Sequence, residues 1–155
     1  MTSLTVIRRI AAPPSIVFEA LTTPEGMISW WGPDDLPAVA ATADARVGGG
    51  YQVRFRTLDG LEHETSGEFL EILKFERIVL SWRWTSGGVP EERGALSRVE
   101  LHLRAIDAGT ELTVIHSGLQ DEASARNHER GWNGALDKLV RNLVQQTQKI
   151  DEGVA

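Results

Sequence analysis

The chain has no cysteine. That removes disulfides, a thiol nucleophile and every cysteine-held zinc or iron–sulfur site, and it fits a reducing cytoplasm, the expected location. It has no excess of positive charge either. Sixteen Lys and Arg face 22 Asp and Glu, for a net charge of -6 and a pI near 5.2. A nucleic-acid binder carries a basic face, so none is expected as a partner. No apolar run approaches the roughly 20 residues that span a bilayer. The opening MTSLTVIRRIAAPP lacks the apolar core of a signal peptide, and neither a leader nor a membrane partner is expected. Repeats, low-complexity tracts and long linkers are missing too. At 155 residues the expectation is one domain over 1–155.

Tryptophan is what the chain has in plenty. Trp30, Trp31, Trp82, Trp84 and Trp132 outnumber a lone tyrosine, and rings of this size must be buried or line something. Leu4 to Ile10 reads as a first strand, broken by Ala11-Ala-Pro-Pro-Ser15. Pro13 or Pro14 fits the first turn of a helix that continues to Leu21. A second short helix has Thr23 as its cap and Pro24 at its first position. It ends at Trp30-Trp31-Gly32-Pro33.

From about residue 38 the period becomes alternating. Tyr51, Val53 and Phe55 share one face, as do Ile78, Leu80, Trp82 and Trp84. Val99 to Arg104 and Leu112 to His116 alternate as cleanly. Turn signals at Asp59-Gly60, Ser86-Gly87-Gly88 and Asp107-Ala108-Gly109 join strands with no helix between, which predicts an antiparallel meander. A long last helix runs from Asp121 to about Lys149. Trp132, Leu136, Leu139 and Leu143 stripe one face, while Asp137, Lys138, Arg141 and Asn142 are expected on the wet one. The fold class is therefore α+β: two short helices after strand 1, then a curved antiparallel sheet of about six to seven strands wrapped around the C-terminal helix. The space between sheet and helix is the natural ligand site.

The stretch Asn127-His-Glu-Arg-Gly-Trp132 resembles chemistry at first sight. A zinc-binding helix pair needs histidines four apart, but four residues after His128 stands Trp132, so no metal is expected. His116 faces inward beside Leu112 and Val114, either as a satisfied core histidine or as a ligand contact. His128 is a helix-entry residue or a polar contact at the cavity edge. Glu129 and Arg130 read as a solvated charge pair. Ser117 has no nucleophile elbow, and Gly48-Gly49-Gly50 precede a strand, so they favour a tight turn or a sheet-bending bulge over a phosphate loop. Gly131 and Gly134 each cost about 1 kcal/mol against Ala in a helix. Both are expected where another backbone comes close or the helix bends, so that Gly131→Leu would overpack.

Ordered phrases along nearly the whole chain carry a resemblance. They are Val17-Phe-Glu-Ala-Leu-Thr-Thr-Pro-Glu25, Trp30-Trp31-Gly32-Pro33, Val47-Gly-Gly-Gly50, Gly67-Glu-Phe-Leu-Glu-Ile72, Leu80-Ser-Trp-Arg-Trp84, Ser97-Arg-Val-Glu-Leu101, Gly109-Thr-Glu-Leu-Thr-Val114, His116-Ser-Gly118 and Gly131-Trp132. The set resembles the START-like (SRPBCC, birch-pollen-allergen-like, helix-grip) superfamily, and within it proteins like the activator of heat-shock protein 90 ATPase. The resemblance implies the helix-grip fold. For function it implies, more loosely, a binding protein for a small hydrophobic, lipid-like or aromatic ligand, monomeric or homodimeric and without cofactor. A cyclase or hydrolase using His116 or His128 is the alternative, as is a chaperone-associated stress protein. At this length no room is expected for the activator's additional N-terminal domain, so a chaperone partner rests on family alone. The expected ligand contacts are Trp30, Trp31, Phe55 and Phe69, then Trp82, Trp84 and Leu101, and finally His116, His128, Trp132 and Leu136. Trp30 and Trp31 either close the open end by packing or form the pocket mouth, and Trp82 and Trp84 either pack on the helix or touch ligand.

Overall fold

A computed structural model describes residues 2–87 and 92–154. Strand β1 (Thr2–Ile10) is followed by helices α1 (Pro14–Thr22) and α2 (Pro24–Trp30). Strands β2 (Ala40–Ala43), β3 (Gly50–Arg56), β4 (Glu62–Leu73), β5 (Arg77–Ser86), β6 (Ser97–Ile106) and β7 (Gly109–Leu119) come next, and helix α3 (Glu122–Val154) ends the order. The strands form one seven-stranded sheet in the order β1-β7-β6-β5-β4-β3-β2. Every neighbouring pair is antiparallel. Strand 1 thus returns beside the last strand, and the long helix lies across it. This is the helix-grip arrangement expected. No helix among the described residues is long and apolar enough to cross a membrane.

Local sequence explains most of these elements. In β3 burial alternates at each residue, with Tyr51, Val53 and Phe55 inward. In β7 the inward set is Thr110, Leu112, Val114 and His116. The outward face carries ion pairs such as Arg56–Glu62, Arg77–Glu100 and Arg104–Glu111, each exposed enough to contribute little singly. Register shifts between β4 and β5, at Glu64/Thr65 and Phe69/Glu71, mark bulges of the kind that bend a sheet. Gly48, at φ 86°, makes the turn before β3 that the triple glycine predicts.

The helix starts follow their caps. Pro14 occupies the first position of α1. Thr23 Oγ1 accepts from the Gly26 N–H at 3.1 Å and caps α2. Asp121 Oδ1 accepts from the Ser124 N–H at 2.8 Å at the head of α3. The stripe Trp132, Leu136, Leu139 and Leu143 is buried against the sheet, as its spacing predicts.

Lys138 departs from the periodicity. It belongs to the polar side of α3 by sequence, yet it is only 4% exposed. Its Nζ donates to the carbonyl oxygens of Leu36 at 2.9 Å and Trp31 at 3.2 Å. A flexible four-carbon stem lets the ammonium reach past the helix edge to the segment that leaves α2. Arg141 pairs with Asp35, and Asn142 Nδ2 donates to Ser29 O at 2.8 Å. These polar residues of α3 hold the Ser29–Leu36 segment in place rather than facing water alone.

The two α3 glycines differ. A Cβ on Gly134 would stand 1.9 Å from Pro33 O, so the chain after α2 approaches the helix there. A Cβ on Gly131 would meet nothing within 4 Å. The close approach expected at both glycines holds at Gly134 and fails at Gly131, which borders open space instead.

Candidate ligand cavity

The open space beside Gly131 is a cavity of about 280 Å³ between the sheet and α3. Three parts of the fold build it. The exit of α2 supplies Trp30, Trp31, Gly32 and Pro33. Strands β3 and β5 supply Phe55, Trp82 and Trp84, and the first turns of α3 supply His128, Gly131, Trp132 and Ala135. The end of α2 is set by Gly32 at φ 103°, a conformation most side chains avoid. Its missing side chain lets the Phe55 ring close in: a Cβ there would lie 3.1 Å from it.

All five tryptophans line this cavity and touch one another. Trp82 sits at the middle, stacked on Trp31 at 5.4 Å and tilted against Trp132 at 5.5 Å. Trp84 meets Trp82 edge-on at 5.8 Å, and Trp30 bridges Trp31 and Trp132 at 5.0 and 6.2 Å. The indole N–H groups are tied into the wall. Trp30 donates to Ala20 O at 2.8 Å, and Trp31 to Thr65 Oγ1 at 3.0 Å. Trp84 donates to His128 Nε2 and Trp132 to His116 Nδ1, both at 3.1 Å. Trp82 Nε1 is buried with no acceptor among the described residues. The wall thus offers a ligand aromatic surface and almost no hydrogen-bonding capacity.

These pairings fix both histidine tautomers. His116 Nδ1 accepts from Trp132, so the ring proton sits on Nε2, which donates to Ser97 Oγ at 2.8 Å. His128 Nε2 accepts from Trp84, so its proton sits on Nδ1, which donates to Ser124 O at 2.8 Å. A second proton on His116 would face the Trp132 N–H, donor against donor. Burial, with His128 at 4.9 Å between ring centroids, holds the His116 pKa well below the ordinary histidine value.

Seven of the expected contacts meet at this cavity: Trp30, Trp31, Phe55, Trp82, Trp84, His128 and Trp132. Four do not line it. Phe69, Leu101, His116 and Leu136 are buried in the core behind the wall. Alternation and stripe assign a face but not a depth, so a residue can point inward and still be covered by a larger neighbour. His116 takes the satisfied-core alternative and lies behind Trp132.

The polar rim escaped the sequence reading. Thr57 and His63 border the cavity from the β3–β4 hairpin, Glu92 from the connection after β5, and Asn127 and Arg130 from α3. Arg130 is not paired with Glu129 as expected; it donates to Asn127 Oδ1. The helical spacing could have revealed this. Asn127, Arg130, Gly131 and Ala135 fall on one side of α3 at steps of three and four.

Comparisons with known proteins agree with the fold. The family model described as Activator of Hsp90 ATPase homolog 1-like protein matches residues 11–143. No curated protein matches. An AHSA1 protein from Silicibacter pomeroyi is similar at 25% identity and a TM-score of 0.80, over 94% of this chain and 99% of that one. A protein from Chromobacterium violaceum is similar at 25% identity and a TM-score of 0.78, over 91% of this chain and 96% of that one. DynU16, from the dynemicin biosynthetic locus, shares the fold at 21% identity and a TM-score of 0.72, over 91% of this chain and 46% of its own.

Proposed function

Because the chain belongs to the family of Activator of Hsp90 ATPase homolog 1-like proteins, whose fold grips a helix, we propose that it binds a small hydrophobic or aromatic molecule between sheet and α3. The observation that carries this is the cavity itself. A volume of about 280 Å³ walled by all five tryptophans and Phe55 leaves large rings facing open space. A tightly packed interior does not normally leave such space unfilled. A ligand that displaces water from this wall gains roughly 25 cal/mol for each Å² of apolar surface buried.

Catalysis by a cavity histidine is the competing reading, and the ring pairings weigh against it. Both nitrogens of His128 are engaged, by Trp84 and by Ser124 O. A general base needs a free lone pair within reach of substrate, so the Trp84 bond would first have to break. The likeness to DynU16 concerns the fold alone.

The test is titration with a neutral lipophilic dye, Nile red, against the native protein and Gly131→Phe. The added ring can enter the cavity that Gly131 borders, since beyond the adjoining helix backbone no atom lies within 4 Å of the position of its Cβ. Saturable binding to the native protein is expected, with loss of most of it in Gly131→Phe at an unchanged melting temperature. An absence of saturable binding, or equal binding by the two proteins, would overturn the reading.

A further inference from the structure

The rim says which end of a ligand is polar and of what sign. Within the cavity the indole nitrogens of Trp30, Trp31, Trp84 and Trp132 already have protein acceptors. Only Trp82 Nε1 lacks an acceptor among the described residues, so a polar group carried inside would lose its water and recover one donor at most. The body of the ligand must be apolar, and any polar group must remain at the mouth. The volume, just below the ~300–1,000 Å³ of sites for drug-sized molecules, fits a compact fused-ring body better than a long acyl chain.

At the mouth, Arg130 and Asn127 stand one turn apart on α3. Asn127 commits its oxygen to the Arg130 guanidinium, which leaves the Asn127 amide N–H₂ as a donor on the same edge. Arg130 has no carboxylate within ion-pair distance among the described residues. The edge therefore presents a charged fork and an amide, all donors. A carboxylate or a similar oxyanion complements such an edge, because it accepts in pairs and balances the charge.

Resting on the cavity reading, we propose that the protein selects a compact aromatic acid: the ring system enters among the tryptophans, and the anionic group stays at the rim on Arg130 and Asn127. Arg130 is then the specificity-determining residue. Glu92 also borders the mouth, so an ammonium group in place of the acid is the competing occupant.

Three probes with one ring system separate these outcomes: 2-naphthoate, 2-naphthamide and 2-naphthylmethylammonium, measured by calorimetry on the native protein and on Arg130→Gln. The rim is partly wet, so the expected advantage of naphthoate over the amide is about five- to tenfold. The advantage should shrink as salt rises. In Arg130→Gln, naphthoate and amide should bind alike, with the amide within about twofold of its native affinity. Equal binding of acid and amide by the native protein, tightest binding of the ammonium, or an unchanged ratio in Arg130→Gln overturns the acid assignment while leaving the cavity reading intact. Failure of all three probes to bind overturns both.

Discussion

Among the described residues, His116 and Lys138 are buried side chains whose protonation the fold opposes, and they act at opposite ends of the pH scale. The His116 ring accepts from Trp132 and is held neutral in the folded chain, with its pKa well below normal. The unfolded chain takes up this proton near pH 6.5. Below that pH the unfolded state binds more protons, so stability falls as pH falls, by up to about 1.4 kcal/mol per unit from this group. Lys138 is held down to about 8, first by burial, with Asp35 and Asp34 opposing. Between about pH 8 and 10 the unfolded chain keeps that proton longer, so stability should rise with pH. Above 10 it should turn down, since burial raises the Tyr51 pKa and only the unfolded chain then ionises its phenol. Urea unfolding across pH 5 to 11 measures this profile. His116→Gln should flatten the acid limb between pH 6.5 and 5, and Lys138→Met the rise above 8. A native profile flat across both windows would contradict these assignments. Of the two residues, the sequence had the inward direction of His116 right, because a strand's alternation fixes direction, but not its depth behind the cavity wall. It misplaced Lys138, because helical periodicity tracks Cβ positions and not where a long stem carries its charge.

Helix α3 carries two glycines three residues apart with opposite surroundings. Gly134→Ala drives a methyl group into Pro33 O and should cost about 1–3 kcal/mol by overpacking. Gly131→Ala meets open space and removes a helix-disfavouring residue, so it should stabilise by up to about 1 kcal/mol. Calorimetric melting of the two variants checks the order; a reversed order would mean that the contact with the α2 exit is misplaced. Element existence was legible wherever one face is dry: β3, β5, β6, β7 and the α3 stripe follow from alternation and spacing. β2 is four residues of Ala and Thr, intermediate or exposed throughout, and shows no pattern to read. The cavity's inner rings were legible for the same reason the strands were. Its rim was not, because Thr57, Glu92, Asn127 and Arg130 are assembled from a hairpin, a connection and a helix that only tertiary structure brings together.

The molecule as a whole is organised around a return: β1 pairs with β7, so the first and last strands sit together and α3 crosses back over β1. Arg8 marks that crossing, with its guanidinium 2.7 Å from Asn133 Oδ1 on the helix. The return gathers rings from residues 30, 31, 82, 84 and 132 into one connected cluster, no neighbour farther than 6.2 Å from the next. Such a cluster has an optical consequence. Light absorbed by any one indole can hop to the others before it is emitted, and each hop turns the transition dipole. Emission from the native protein should therefore be strongly depolarised even in a rigid glass, where tumbling is frozen. Replacing Trp82 by Phe removes the indole that links Trp84 to the rest but leaves Trp31, Trp30 and Trp132 in contact, so polarisation should recover only in part. In optical terms the five tryptophans form one chromophore, and whatever enters the cavity addresses all of them at once.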